Sequence, residues 1–190
     1  DKAVNSSKEK NTSSKQIEEE KSDEVKTEEN TEQQVQEEEV TPNEDEGEID
    51  TTNVLATARG NVVYDINNGY YVLDLFTSLR NMTKTPIRQK WLAFSIPNGV
   101  YVAELPSGME LVNLYDGSTG IAIKMPDVDK FPDSKDLKVQ IPLVGEPVDN
   151  NPNYNLYLFD ISEEGYTDLG QLSGQREIDF SHMTANPVID

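Results

Sequence analysis

Every aromatic residue of this chain, one Trp, eight Tyr and five Phe, lies after position 50, and that segregation limits what the polypeptide can fold into more than any other feature. Before that point the only apolar side chains are Ala3, Val4, Ile17, Val25, Val35, Val40 and Ile49. So few cannot offset the ~1–2 kcal/mol of backbone entropy lost per ordered residue. The leading segment, 1–52, is therefore expected to be a disordered acidic tether, and 53–190 a folded domain. Gln16 to Val40 is rich in helix formers but carries no apolar stripe at helical spacing, and Glu20 with Glu24, or Glu24 with Glu28, repel one turn apart. A flexible chain of this length reaches on the order of 40 Å, and like charge stretches it further.

Charge narrows the range of partners. The formal net charge is −20, of which residues 1–50 contribute −12 (eighteen acids, six Lys) and residues 51–190 contribute −8. Phosphate backbones and anionic lipid are bound through Lys and Arg that displace counterions, so nucleic acid and direct membrane association are disfavoured. With no cysteine, disulfide frameworks, thiolate nucleophiles and Cys-type zinc sites are excluded. No run approaches the ~20 apolar residues of a membrane span, and no signal-peptide core is present; an exported form is expected to have lost its signal.

Beyond Thr51, strand patterns alternate with turn residues. In "YYVLDLFTSL" Tyr71, Leu73, Leu75 and Leu79 share one parity, with Asp74, Ser78 and Arg80 on the other. "WLAFSI" places Leu92, Phe94 and Ile96 on one face, and Val100 and Val102 follow the turn Pro97-Asn98-Gly99. Further Gly- and Pro-bearing turns separate "MELVNLY" from "GIAIKM", so 91–125 is expected to form an antiparallel meander of about four strands. "LKVQIPLVG" follows, with Pro142 marking an edge or bulge, then "YNLYLFDI" and a last strand near "REIDFS". One helical turn is allowed in each of "TSLRNMTKTPI" and "SEEGYTDLGQLSGQ". Turn signals every 8–12 residues favour an all-β sandwich or barrel.

Motifs for chemistry are sparse. His182, the only histidine, has no metal-ligand spacing or nucleophile elbow near it and reads as a surface or loop residue; no catalytic residue is assigned. Glu104, Glu110, Glu163 and Glu164 are candidates for a glycosidase-type carboxylate pair. Asp127, Asp129, Asp133 and Asp136 crowd one loop and are candidate calcium ligands, without the central Gly and terminal Glu of an EF-hand. Tyr70, Trp91, Tyr154 and Tyr157 are candidate ligand-binding aromatics, because adjacent aromatics on a strand face opposite ways and an exposed Tyr serves recognition. The stretch "DNNPNYN", Asp149 to Asn155, is either a polar ligand-contacting turn or a connector. Asn81-Met82-Thr83 is a formal N-glycosylation acceptor, as are the tripeptides at Asn5 and Asn11.

The leader "SSKEKNTSSKQIEEEKSDEVKTEENTEQQVQEEE" followed by "GYYVLDLFTSLRNMTKTPI" resembles the exposed parts of Gram-positive surface proteins, lipoproteins or adhesins, carrying immunoglobulin-like β-domains. The chain lacks a lipobox cysteine, a Leu-Pro-x-Thr-Gly sorting signal and a clear Lys/Asn isopeptide pair. The resemblance implies an antiparallel immunoglobulin-like β-sandwich on an acidic spacer, located outside the cell at its surface or wall. Its implied role is a non-catalytic binding or adhesion module for an extracellular protein or glycan. Two alternatives stand beside it: an accessory cell-envelope protein that assembles with other subunits, and a carboxylate-dependent hydrolase.

Overall fold

Alternation in the sequence becomes alternation in space along the first long hairpin. The computed structural model describes residues 47–149 and 153–187; residues 1–46 of the expected tether, with Asn5 and Asn11, lie outside them. β1 (Val54–Asp65) and β2 (Tyr70–Asn81) pair along their whole length through a turn held by Asp65, whose carboxylate accepts from Asn67 and Asn68. Val54, Ala56, Ala58 and Val62 face inward from β1; Tyr71, Leu73, Leu75, Thr77 and Leu79 face inward from β2. Tyr71 is buried and Tyr70 half-buried on the other side, as strand parity requires.

The remaining strands are β3 (Trp91–Ser95), β4 (Val100–Val102), β5 (Met109–Asn113), β6 (Thr119–Lys124), β7 (Asp133–Gly145), β8 (Leu156–Ser162), β9 (Gly165–Gln171) and β10 (Ser173–Ile178). They make two five-stranded sheets, ordered β10-β1-β2-β7-β4 and β5-β6-β3-β8-β9. The described residues form an all-β sandwich. Its β1-β2-β7-β4 and β3-β8-β9 orders match the A-B-E-D and C-F-G sheets of an immunoglobulin sandwich. Between them lies the core, with Phe94, Leu73, Leu92, Ile121, Ile123, Ile141, Leu143, Leu156 and Leu158 fully buried, each worth about 1.5–3 kcal/mol of burial.

Several expectations are corrected. Residues 91–125 do supply four strands, but not a meander: β4 leaves for the opposite sheet to pair with β7, and β3 pairs with β6 and β8. The last strand lies where expected but runs parallel to β1, in register Ala58↔Arg176. The two stretches allowed a helical turn are strand and loop instead, and among the described residues the one helical element is a 3-10 turn, Thr51–Asn53. Asp50 caps it, accepting from Thr52 and from the Asn53 amide, while Ile49 packs on the core; the folded part thus reaches back before residue 53. Pro142 marks neither an edge strand nor a bulge, since β7 runs between β2 and β4 in unbroken register with β2, yet the position suits it. Its carbonyl accepts from Ala103 N at 2.8 Å, on the side away from β2, so the missing N–H takes nothing from the β2 ladder.

Asn81 is no glycan acceptor in this fold. Its side chain is fully buried, the amide donates to the carbonyls of Thr85 (2.8 Å) and Asp129 (3.0 Å), and its oxygen accepts from Thr83 N and Oγ1.

The second sheet is curled. Tyr166 on β9 accepts a hydrogen bond from Asn113 N on β5 (3.1 Å), although these are its two edge strands. Four interstrand spacings would put them ~19 Å apart if the sheet were flat. Paired Ala93 and Ala122 sit in the hollow beside Val112, Leu114, Tyr157 and Phe159, and side chains this small leave room for the bend.

Candidate functional site

β10 is the seam of the sandwich. On one side it pairs with β1; on the other, Leu172 N donates to Leu156 O and Arg176 N to Tyr154 O, tying it to the start of β8. The inward parity of β10 carries Gly174, Arg176 and Ile178, facing Ala56, Ala58 and Gly60 of β1. Small side chains on β1 leave room for a guanidinium. Gly174 is obligatory: at φ +125 a Cβ there would run into the Ala56 carbonyl.

Arg176 is 2% exposed. Its Nε donates to the Asn153 carbonyl, and its guanidinium carbon lies 5.4 Å from the Tyr154 ring centroid and 5.5 Å from that of Phe180. One terminal nitrogen, Nη1, is buried with no hydrogen-bond partner among the described residues. Burial pushes the guanidinium below its ordinary pKa, with Tyr154 acting the other way; Arg nevertheless stays charged at neutral pH. A buried, charged donor without a protein acceptor is costly, and at this position it can be met by a water or by a ligand group that enters the cavity.

Arg176 lines a cavity of about 270 Å³ at one end of the sandwich. Its walls come from the end of β3 (Ser95–Asn98), the β5–β6 turn (Asp116, Ser118), the segment after β7 (Pro147, Asp149), the start of β8 (Asn153, Tyr154) and the end of β10 (Ile178–Ser181). Asn153 is the hub. Its carbonyl accepts from Arg176 Nε and Ser95 Oγ, its amide donates to Asp116 Oδ2 (2.7 Å) and Tyr157 Oη (3.1 Å), and its side-chain oxygen accepts from Asn155 N.

The aspartates are positioned by the loops that carry them. Ser118 donates from its hydroxyl and its N–H to Asp116, and these with the Asn153 amide hold that carboxyl below the usual range. Ser181 N donates to Asp179 Oδ1 (2.8 Å), and hydrogen bonding from Ser181 holds that carboxyl below the usual range. Asp149 accepts from Asn98 Nδ2 at 2.9 Å, where the turns 97–100 and 145–149 are zipped by Glu146 N to Gly99 O and Val148 N to Asn98 O. Apolar wall is supplied by Ile96, Pro97, Pro147, Ile178 and Phe180, and Tyr154, 56% exposed, stands at the mouth.

Of the four aromatics singled out by sequence, two meet here. Tyr154 lines the cavity, and buried Tyr157 stands behind it as an acceptor for Asn153. Tyr70 lies at the start of β2 opposite Asp65, and Trp91 is half-buried against the hollow of the second sheet; neither lines this cavity. Asp149 and Asn153 belong to the polar stretch Asp149 to Asn155 that the sequence also marks, whereas Arg176, Asp116 and Phe180 were not singled out. One signal was available: in "REIDFS" Arg176 shares parity with Ile178 and Phe180, placing a cation in an apolar register.

The loop aspartates are engaged locally. Asp127 accepts from Gln89 N (2.9 Å), Asp129 from Lys130 N (2.8 Å), and Asp133 from Asp129 N (2.8 Å) and Lys135 Nζ, while Asp136 is exposed on β7. Among the described residues no three acidic or histidine side chains converge as cation ligands. Glu104, Glu110, Glu163 and Glu164 are exposed and do not line the cavity, and His182 is exposed with Nε2 2.6 Å from the Val62 carbonyl.

No protein-family model matches the chain, and no curated protein matches it by sequence. Among solved structures it is similar to a GH20 exo-β-N-acetylglucosaminidase from Vibrio harveyi in complex with N-acetylglucosamine (TM-score 0.32, 11% identity). An inactive mutant of that enzyme scores 0.29 at 11% identity. Each alignment covers 71% of this chain and 19% of the other, so the chain spans about a fifth of those proteins. At these TM-scores neither likeness bears on function.

Proposed function

We propose that this protein is a non-catalytic binding module, displayed outside the cell on its acidic N-terminal segment, that engages an extracellular protein or glycan through the Arg176 cavity. The observation that carries the reading is the 2%-exposed Arg176 with an unpartnered nitrogen beneath a loop-end cavity. Arg176 is held there by its Nε bond and its two aromatic neighbours, while Nη1 is left unmade at a cost of about 1–3 kcal/mol, which an acceptor entering the cavity would offset. Pockets at the ends of β-sandwiches, where loops converge, are places such scaffolds use for recognition.

The non-catalytic part of the reading is supported by the state of the aspartates. Asp116 and Asp179 are both held below the usual carboxylate range, which unsuits either to be the proton-donating acid of a glycosidase, a group that needs a raised pKa. Surface display is supported by the acidic, cysteine-free leader and its resemblance to Gram-positive surface proteins.

The test is an immobilised array of saccharides and peptides probed with the full chain and with a Tyr154→Ala/Asp149→Ala variant. Retention on a defined subset, lost in the variant, is the expected result, with mass spectrometry finding the retained ligand uncleaved. Cleaved ligand, or a variant that binds as the parent does, overturns the reading.

A further inference from the structure

Resting on that reading of the cavity, we propose that its ligand is an uncharged sugar residue in ring form, a neutral pyranose, held by Arg176 on one side and by aspartate acceptors on the other. Charge makes the first selection. Three aspartates, Asp116, Asp149 and Asp179, line the cavity with a single arginine, and none lies within ion-pair distance of the guanidinium. A free carboxylate or phosphate that paired with Arg176 would sit among those carboxylates. An ammonium that paired with the aspartates would sit against Arg176. A neutral group meets neither repulsion.

Hydrogen-bond chemistry makes the second. Ionised Asp only accepts and Arg only donates, so the ligand must present donors and acceptors within a few ångströms of each other. A hydroxyl is both, and neighbouring ring hydroxyls repeat that pair. Asp149 and Asp179 each have one carboxylate oxygen without a protein donor among the described residues, and Arg176 Nη1 has no acceptor. Asp116 uses both its oxygens within the site and serves to fix Asn153 instead.

Shape makes the third. Beside the polar groups lies an apolar wall that includes Ile178 and Phe180, with Tyr154 standing half out at the mouth. A pyranose carries a C–H face next to its hydroxyl edge and can cover both; an open-chain polyol has no such face. At about 270 Å³ the cavity falls just under the ~300–1,000 Å³ of pockets for drug-sized ligands, which fits one ring with the rest of a chain leaving through the mouth.

The test titrates the ¹⁵N-labelled full chain and follows the Arg176 Nε–Hε signal with the Asn98 and Asn153 side-chain amides. The probes are glucose, galactose and mannose, with glucuronate, glycine and glycerol as charged, zwitterionic and open-chain counterparts. At least one pyranose is expected to give saturating shifts at all three groups, with glucuronate about tenfold weaker at low salt and the gap closing as salt rises. Asp149→Asn, an exposed position, is expected to keep the fold and to shift preference towards glucuronate. If glucuronate, glycine or glycerol moves the same signals at lower concentration than every neutral pyranose, the assignment to a neutral sugar is overturned while the cavity remains the binding site. If no probe moves them, the sugar assignment is overturned, and the reading of the cavity as a binding site is then decided by the saccharide and peptide array.

Discussion

Replacing Asn81 separates a structural clasp from a decorated surface site. Four side-chain hydrogen bonds converge on this fully buried amide, two given and two received. Asn81→Ala removes all four. Thr83 Oγ1 and the Thr85 carbonyl keep each other at 3.0 Å, leaving chiefly Thr83 N and the Asp129 carbonyl unmet, so the expected cost is about 2–4 kcal/mol. Asn81→Asp has nearly the same shape but presents a carboxylate oxygen to two carbonyls about 3 Å away, and an uncompensated buried charge costs roughly 3–5 kcal/mol. The aspartate variant should thus be the less stable at pH 7. Burial and the facing carbonyls raise its folded pKa above the unfolded value, so its deficit shrinks as pH falls through the folded pKa and the protonated carboxyl becomes a donor. Urea titrations followed by Trp91 fluorescence read both effects. An aspartate variant at least as stable as the alanine variant at pH 7 would refute the clasp.

Three other outcomes follow from the geometry. Gly174→Ala drives a Cβ into the Ala56 carbonyl and should cost at least ~2 kcal/mol and disorder β10, read by thermal melting; an unchanged Tm rules out the parallel β1–β10 register. Tyr166→Phe should cost ~0.5–1.5 kcal/mol and specifically speed hydrogen exchange at Asn113 N–H; unchanged exchange there means that the second sheet is not closed by this bond. Asp116 and Asp179 have folded pKa values below their unfolded ones, so they stabilise the fold above the unfolded value and lose that contribution as pH falls below about 4; urea midpoints measured from pH 7 to 2 should drop in that window, and less steeply in an Asp116→Asn variant.

Much of the sandwich was legible because its faces are written in period two. The parity of Tyr71, Leu73, Leu75 and Leu79, and that of Leu92, Phe94 and Ile96, named core residues directly. What parity does not carry is the choice of partner. β4 and β5 look like successive hairpin arms, yet Val100–Val102 is only three residues long and the Gly99–Gly145 contact draws it to β7: with both glycines at positive φ, a Cβ on either would strike the other turn's backbone. The parallel course of β10 is likewise set by long-range pairing. At the site, Tyr154 was legible as an aromatic in a polar turn, but the cavity is assembled from five segments spread from Ser95 to Ser181. Asn153 gains its role only when the end of β3, the β5–β6 turn and β10 converge on it, and a lone asparagine among several gives no sign of that.

Arg176→Met tests the central claim most directly, provided stability and binding are measured on the same preparation. Methionine is similarly long and apolar, and exchanging a buried ion for it is often neutral or stabilising. Against that stand the lost Nε bond to the Asn153 carbonyl, which keeps Ser95 Oγ, and two cation–π contacts of ~0.5–2 kcal/mol each. The account predicts an unfolding free energy within about 1 kcal/mol of the parent together with loss of array binding. A folded Arg176→Met protein that binds undiminished would contradict it.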